Sequence, residues 1–133
     1  MRLLSTGRQF ESWPPDVSNN MIRNGLYSLS AKATDGVDGG DSGVLVLRDG
    51  TIRGGTSFFY LIGTYSCSNG RWKGEITSRE HSQAPATRPM ARRIVSIGFS
   101  GTYTDQGAEA GGTALVGKMS IRYDVILRLL LAD

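Results

Sequence analysis

From residue 25 onward, apolar and polar side chains alternate in short runs, each closed by a turn signal, which is the spacing of an all-β barrel or sandwich. The first run, GLYSLSA from Gly25 to Ala31, puts Tyr27, Leu29 and Ala31 on one face. GVLVLRDGTIRGG follows, and its Asp49-Gly50 pair predicts a two-residue hairpin, because a type I′ turn needs positive φ at both central residues. TSFFYLIGTYS covers Thr56 to Ser66 as the third long strand, and Asn69-Gly70 predicts a second hairpin that returns as RWKGEITSRE. There Trp72, Gly74 and Ile76 face one way and Lys73, Glu75 and Thr77 the other, so one face is buried and one is wet.

Residues 82–89, SQAPATRP, read as a loop, since Pro85 and Pro89 remove ladder donors. RRIVSIGFSGTYTD then supplies Val95, Ile97 and Phe99 at alternate positions. DQGAEAGG reads as a turn, GTALVGKM as a strand and YDVILRLLL as the last strand, its branched residues favouring strand over helix. About eight short sequential strands predict an antiparallel up-and-down meander, and closing them removes both edges. The expected fold is therefore all-β: a single eight-stranded antiparallel up-and-down barrel, lipocalin/calycin-like. It spans residues 21–133, with residues 1–20, which hold Pro14-Pro15, as an N-terminal extension. The residues expected to point inward are Tyr27, Leu29, Trp72, Ile76, Val95, Ile97, Phe99 and Leu115, with Gly63, Gly74 and Gly117 leaving space beside them.

Composition agrees with this reading. Eighteen glycines in 133 residues, about twice the usual share of ~7%, suit a fold of tight turns and bulges. The net charge of +3 is spread along the chain, without the concentration of cations that marks a nucleic-acid face. One cysteine, Cys67, excludes an intrachain disulfide, and no apolar run reaches membrane-helix or signal-peptide length. A soluble, cytoplasmic protein is expected.

Within DGVDGGDSG, residues 35–43, the tetrapeptide GDSG spells the surroundings of a serine-protease nucleophile. A nucleophilic serine needs a histidine base held by a third group. The single histidine, His81, follows Ser42 by 39 residues, and the chain is too short for the two barrels of the chymotrypsin-like fold. Ser42 is accordingly read as part of a turn-rich loop. Asp35, Asp38 and Asp41 lack the alternate spacing and closing glutamate of a calcium loop, and one Cys with one His cannot close a zinc site. The segment also lacks the lysine of a phosphate-binding loop. His81 beside Glu80 reads as a solvated strand end, and Cys67 has no surrounding cations to activate it. No catalytic residue, metal or cofactor is expected.

Several stretches resemble the GrlR family, the small negative regulators of type III secretion genes. MIRNGLYSL is similar to that family's opening strand, GVLVLRDGTIRGG to its second hairpin, and TSFFYLIGTYS carries Gly63 where the family has a glycine; FSGTYTD and GTALVGK suit the same meander. The resemblance covers most of residues 21–133. It implies a lipocalin-like barrel paired into a homodimer, without catalytic activity, that binds a transcriptional activator and holds it off DNA. It also implies a start at Met21. In the best-known members an acidic run after the third long strand contacts the activator. The matching positions here, Cys67, Ser68, Asn69 and Gly70, followed by Arg71, are not acidic, and that contact is not carried over.

Two functional readings stay open. One is an interaction protein whose partner surface includes Asn69, Arg71, Arg92 and Arg93, with arginines bunched between residues 71 and 93 as a face for an acidic protein. These cations lack an aromatic stacking platform, which argues against direct nucleic-acid binding. The other is a carrier or sensor that takes a small apolar ligand inside the barrel.

Overall fold

The computed structural model describes residues 21–34 and 40–133. The expected extension, residues 1–20, lies outside the described residues, as do Asp35 and Asp38. Eight strands are found among the described residues: β1 Gly25–Ala33, β2 Asp41–Arg48, β3 Thr51–Thr56 and β4 Phe59–Ser68, then β5 Arg71–Glu80, β6 Val95–Thr104, β7 Gly107–Val116 and β8 Met119–Ala132. Each pairs antiparallel with the next, and β8 returns to β1, closing the barrel in up-and-down order. Opposite Leu26 and Tyr27 the register shifts, leaving Leu130 as an extra residue of β8, a bulge near the end of that strand.

Local chemistry explains most boundaries. Asp49 and Gly50 have φ of 50° and 85°, and Asn69 and Gly70 of 53° and 79°, the paired positive angles of the hairpins read from the sequence. The other limits correct the sequence reading. Thr56 ends β3 instead of opening the next strand, and Asp41–Gly43 of the GDSG segment are not loop but the first residues of β2, where Ser42 pairs with Ser30. GAEAGG is not a turn: the turn is Asp105-Gln106 alone, and β7 begins at Gly107. Its inward face is Ala108, Ala110, Gly112, Ala114 and Val116, so Leu115 is 71% exposed on the outside. Leu115 was expected inward. The strand ends at the Gly117-Lys118 turn, which pairs Val116 with Met119 and sets the opposite parity. Gly117 sits in that turn, with φ of 62°, and not in the interior.

The two ends of the barrel differ. The lower end carries three two-residue turns and is closed by residues 21–24. Ile22 is buried there, and Asn24 exchanges two hydrogen bonds with Asp49: Nδ2 donates to Oδ1 at 3.0 Å, and Oδ1 accepts the Asp49 N–H at 3.0 Å. Tyr27, fully buried, donates its hydroxyl to the Arg23 carbonyl at 2.7 Å. The upper end carries the long β1–β2 and β5–β6 connections. Residues 81–94 fold across it as a strap. Glu80 Oε2 accepts from the Ala84 N–H at 2.9 Å and from Arg92 Nη1 at 3.2 Å, and Arg92 Nη1 also donates to the Ala84 carbonyl at 2.9 Å. The His81 N–H donates to the Phe58 carbonyl at 2.9 Å, which ties the strap to the β3–β4 turn.

Burial pushes the Tyr27 phenol up to about 12, with the neighbouring Tyr65 adding to the shift. The folded chain thus holds this proton more tightly than the unfolded chain, whose phenol titrates near 10. The stabilisation is complete below pH 10 and is lost as pH rises toward 12. We expect the urea midpoint to fall over that window, and Tyr27→Phe to flatten the fall while costing about 1 kcal/mol at neutral pH for the lost hydrogen bond. Equal steepness in both proteins would show that Tyr27 is not responsible.

Candidate functional site

Between the closed lower end and the strap lies an apolar cavity of about 100 Å³. Its floor is aromatic. Trp72 projects inward from β5, edge-on to Tyr65 at 5.9 Å between ring centres and tilted against Phe99 at 4.6 Å. The indole N–H donates to the Glu109 carbonyl at 3.0 Å, so this large side chain has no unmet polar group. The register shows how it gets there. Trp72 pairs with Gly101 on β6, and Gly101 pairs with Ala110 on β7. The indole therefore passes over a residue without a side chain to reach the second strand away.

Leu29, Leu45, Ile52, Leu61, Ile76 and Ile97 form the wall. The mouth is different in character: Asp41 and Thr56 stand at strand ends, and Arg88, Pro89 and Met90 of the strap lie across it. Arg88 Nη1 is 3.8 Å from Asp41 Oδ2, and its guanidinium carbon is 5.7 Å from the centre of the Phe58 ring. A ring face and a carboxylate thus hold one cation over an otherwise hydrocarbon chamber.

Of the residues expected inward, Leu29, Trp72, Ile76, Ile97 and Phe99 line this cavity. Tyr27 lies below the floor in the main core with Tyr65. Val95 packs in a second cluster with Ala114, Val116, Ile121 and Tyr123. Gly63 and Gly74 do not leave space, because a Cβ at either would stand 2.2 or 2.1 Å from a carbonyl oxygen of the neighbouring strand. Among the lining residues that sequence reading missed are Leu45, Ile52 and Leu61 of the wall, and Asp41, Arg88, Ala110 and Tyr123. For Ala110 a signal existed: Ala108, Ala110, Gly112 and Ala114 alternate with Glu109, Gly111 and Thr113.

The residues of the expected partner surface lie at opposite ends of β5. Asn69 and Arg71 sit at the lower end of β5 and Arg92 and Arg93 beyond its upper end, and a ten-residue strand separates them by about 33 Å. Arg92 is held by Glu80, and a Cβ added to Gly117 would meet Arg93 Nη1 at 3.3 Å, so Arg93 lies against the β7–β8 turn. Lys73 and Arg79 are exposed on the outer face of β5 between these two ends, beside Glu75.

Groups with chemical potential are scattered. His81 is exposed, with Nδ1 2.9 Å from Ser82 Oγ and Nε2 3.0 Å from the Thr56 carbonyl. Burial raises the Cys67 thiol, a shift partly offset by the backbone at Ile22, and a raised pKa suppresses the reactive thiolate. Among the described residues no three His, Cys, Asp or Glu side chains gather as a metal site.

No family model matches the chain, and no curated protein matches it. The likeness that stands is one of architecture: an eight-stranded antiparallel up-and-down closed barrel, as in the lipocalin/calycin fold.

Proposed function

We propose that this chain is a non-catalytic regulatory interaction protein that acts in the cytoplasm, the role implied by its resemblance to the GrlR family. In this reading it captures a protein, a transcriptional activator by that resemblance, and makes no direct contact with nucleic acid. What carries the proposal is the outer wall of β8, β1 and β2. Leu131 pairs with Leu26, and Leu26 with Val46, while Val44 and Leu130 extend the row. Of these, Val44, Val46, Leu130 and Leu131 are exposed and Leu26 is half-buried. Ser28 beside Val44 and Gly55 opposite it keep this surface flat. Contiguous apolar side chains on the wet face of a barrel are a recurrent mark of protein contact.

The test is paired affinity capture from host lysate with the full chain and its Leu26→Lys/Val46→Lys variant. The captured protein is then assayed for DNA binding with and without the chain. We expect a DNA-binding regulator whose DNA affinity falls when the wild-type chain is added, and at least tenfold less capture by the variant. Equal capture by both would remove the wall from the mechanism, and a partner that binds DNA equally well in the complex would remove the anti-activator role.

The cavity favours a second reading, in which the barrel takes up a small apolar molecule as a carrier or sensor. About 100 Å³ is well below the roughly 300–1,000 Å³ of drug-sized sites. A ligand would be no larger than a single ring or short chain.

A further inference from the structure

We infer that the cavity mouth recognises a neutral hydroxyl group, so that the molecule taken up is a small phenol or alcohol with an apolar body. This rests on the second reading above and specifies the chemistry of its ligand. The two oxygens of Asp41 differ. Oδ1 accepts the Ser42 N–H at 2.8 Å, whereas Oδ2 is buried and has no hydrogen bond, in a side chain that stands among those lining the cavity, so a donor reaches it once Arg88 draws back. Arg88 Nη1 faces it at 3.8 Å, beyond hydrogen-bonding reach although close enough for attraction. The two side chains are only 15% and 21% exposed. A buried carboxylate oxygen without a donor is a costly arrangement, and it is relieved by a donor arriving from the cavity.

The gap itself selects the donor. An oxygen about 2.7 Å from Oδ2 and about 2.9 Å from Nη1 completes a triangle on the 3.8 Å base. A hydroxyl there donates to the carboxylate and accepts from the guanidinium with one atom. A ligand carboxylate is repelled by Asp41 and an ammonium by Arg88, so each charged head gains one partner and opposes the other. The body is bounded by volume and polarity. A dry apolar cavity of about 150 Å³ accommodates a benzene ring, and the cavity here is smaller, about 100 Å³, so one ring is the upper limit and its hydroxyl must sit out at the mouth. Trp72 and Phe99 at the floor offer that ring two aromatic faces.

The experiment titrates the full chain with benzene, phenol, benzoate and benzylamine and follows Trp72 emission. A Trp13→Phe background makes Trp72 the sole indole. Because phenol gives up its hydrogen bonds to bulk water on entry, the expected advantage of the hydroxyl is moderate: phenol binds about tenfold more tightly than benzene, and both ions bind more weakly than phenol. Asp41→Ala is expected to bring phenol to the affinity that the same variant shows for benzene, with far-UV circular dichroism reporting that it is folded. Ala110→Phe, which fills the chamber from β7, is expected to abolish both, with Ala31→Leu, which fills it from β1, as the second variant should the thin β7 fail to fold around a ring. Equal affinity for phenol and benzene in the wild type, or a phenol preference that survives Asp41→Ala, overturns the head-group proposal while the cavity reading stands. Absence of binding by every probe, or binding that survives Ala110→Phe, overturns both.

Discussion

Trp72→Ala is expected to lower stability by about 4 kcal/mol, the upper part of the range for removing a buried tryptophan, and to lower Tm by roughly 15 °C for a domain of this size. Three losses combine. The transfer and cavity terms dominate, because the site is walled by strand backbone and cannot collapse. Two ring contacts go as well, to Tyr65 and Phe99, each worth about 0.5–1.5 kcal/mol beyond burial. The Glu109 carbonyl also loses its indole donor. Trp72→Phe separates these effects: it keeps a ring on the floor, loses the hydrogen bond, and is expected to cost about half as much. Chemical denaturation of the three proteins, read by far-UV circular dichroism, decides the matter. A loss below about 1 kcal/mol for Trp72→Ala would mean that the floor is held by its strands alone and that Trp72 only fills space.

The same residue shows how far the sequence could be read. Trp72, Ile76 and their polar alternates made β5 legible, and the Asp49-Gly50 and Asn69-Gly70 turns fixed the β2–β3 and β4–β5 hairpins. Closure into a barrel followed from strand number and from the physics of edges. What escaped was set by neighbours. AEAGG contains no branched or aromatic residue and reads as a turn by propensity, yet it is the heart of β7. Its side chains are small because Trp72 reaches across to Glu109 and Phe99 pairs with Gly112. A strand facing bulky neighbours must be thin, whatever its own propensity. Because that strand was read from Gly112 to Met119, five residues late at its start and across its true turn at Gly117-Lys118, Leu115 fell on the wrong face. The Asp41–Arg88 mouth was illegible for a different reason. Its partners are 47 positions apart, one at a strand start and one in a strap whose path depends on Glu80, Ala84 and a left-handed Arg92 with φ of 58°.

Two glycines on β6, three positions apart, are expected to respond to substitution in opposite directions. At Gly101 an added Cβ would stand 1.9 Å from the Glu109 carbonyl oxygen and 2.7 Å from the Ala110 Cα. Both obstacles are backbone, held in the ladder on one side and by the Trp72 indole on the other, so neither can rotate away. Gly101→Val must push β7 from β6 and dislodge the floor, and we expect a loss above about 3 kcal/mol, beyond ordinary overpacking. At Gly98 a Cβ meets nothing within 4 Å. There Gly98→Ala removes conformational freedom from the unfolded chain without strain in the folded one, and a gain of about 0.5 kcal/mol is expected. The pair is measured by urea denaturation, with Gly101→Ala as the milder variant should Gly101→Val fail to fold. If Gly101→Ala proved as stable as Gly98→Ala, the close approach of β6 and β7 would be slack that the barrel can yield. The small side chains of β7 would then owe nothing to the tryptophan they face.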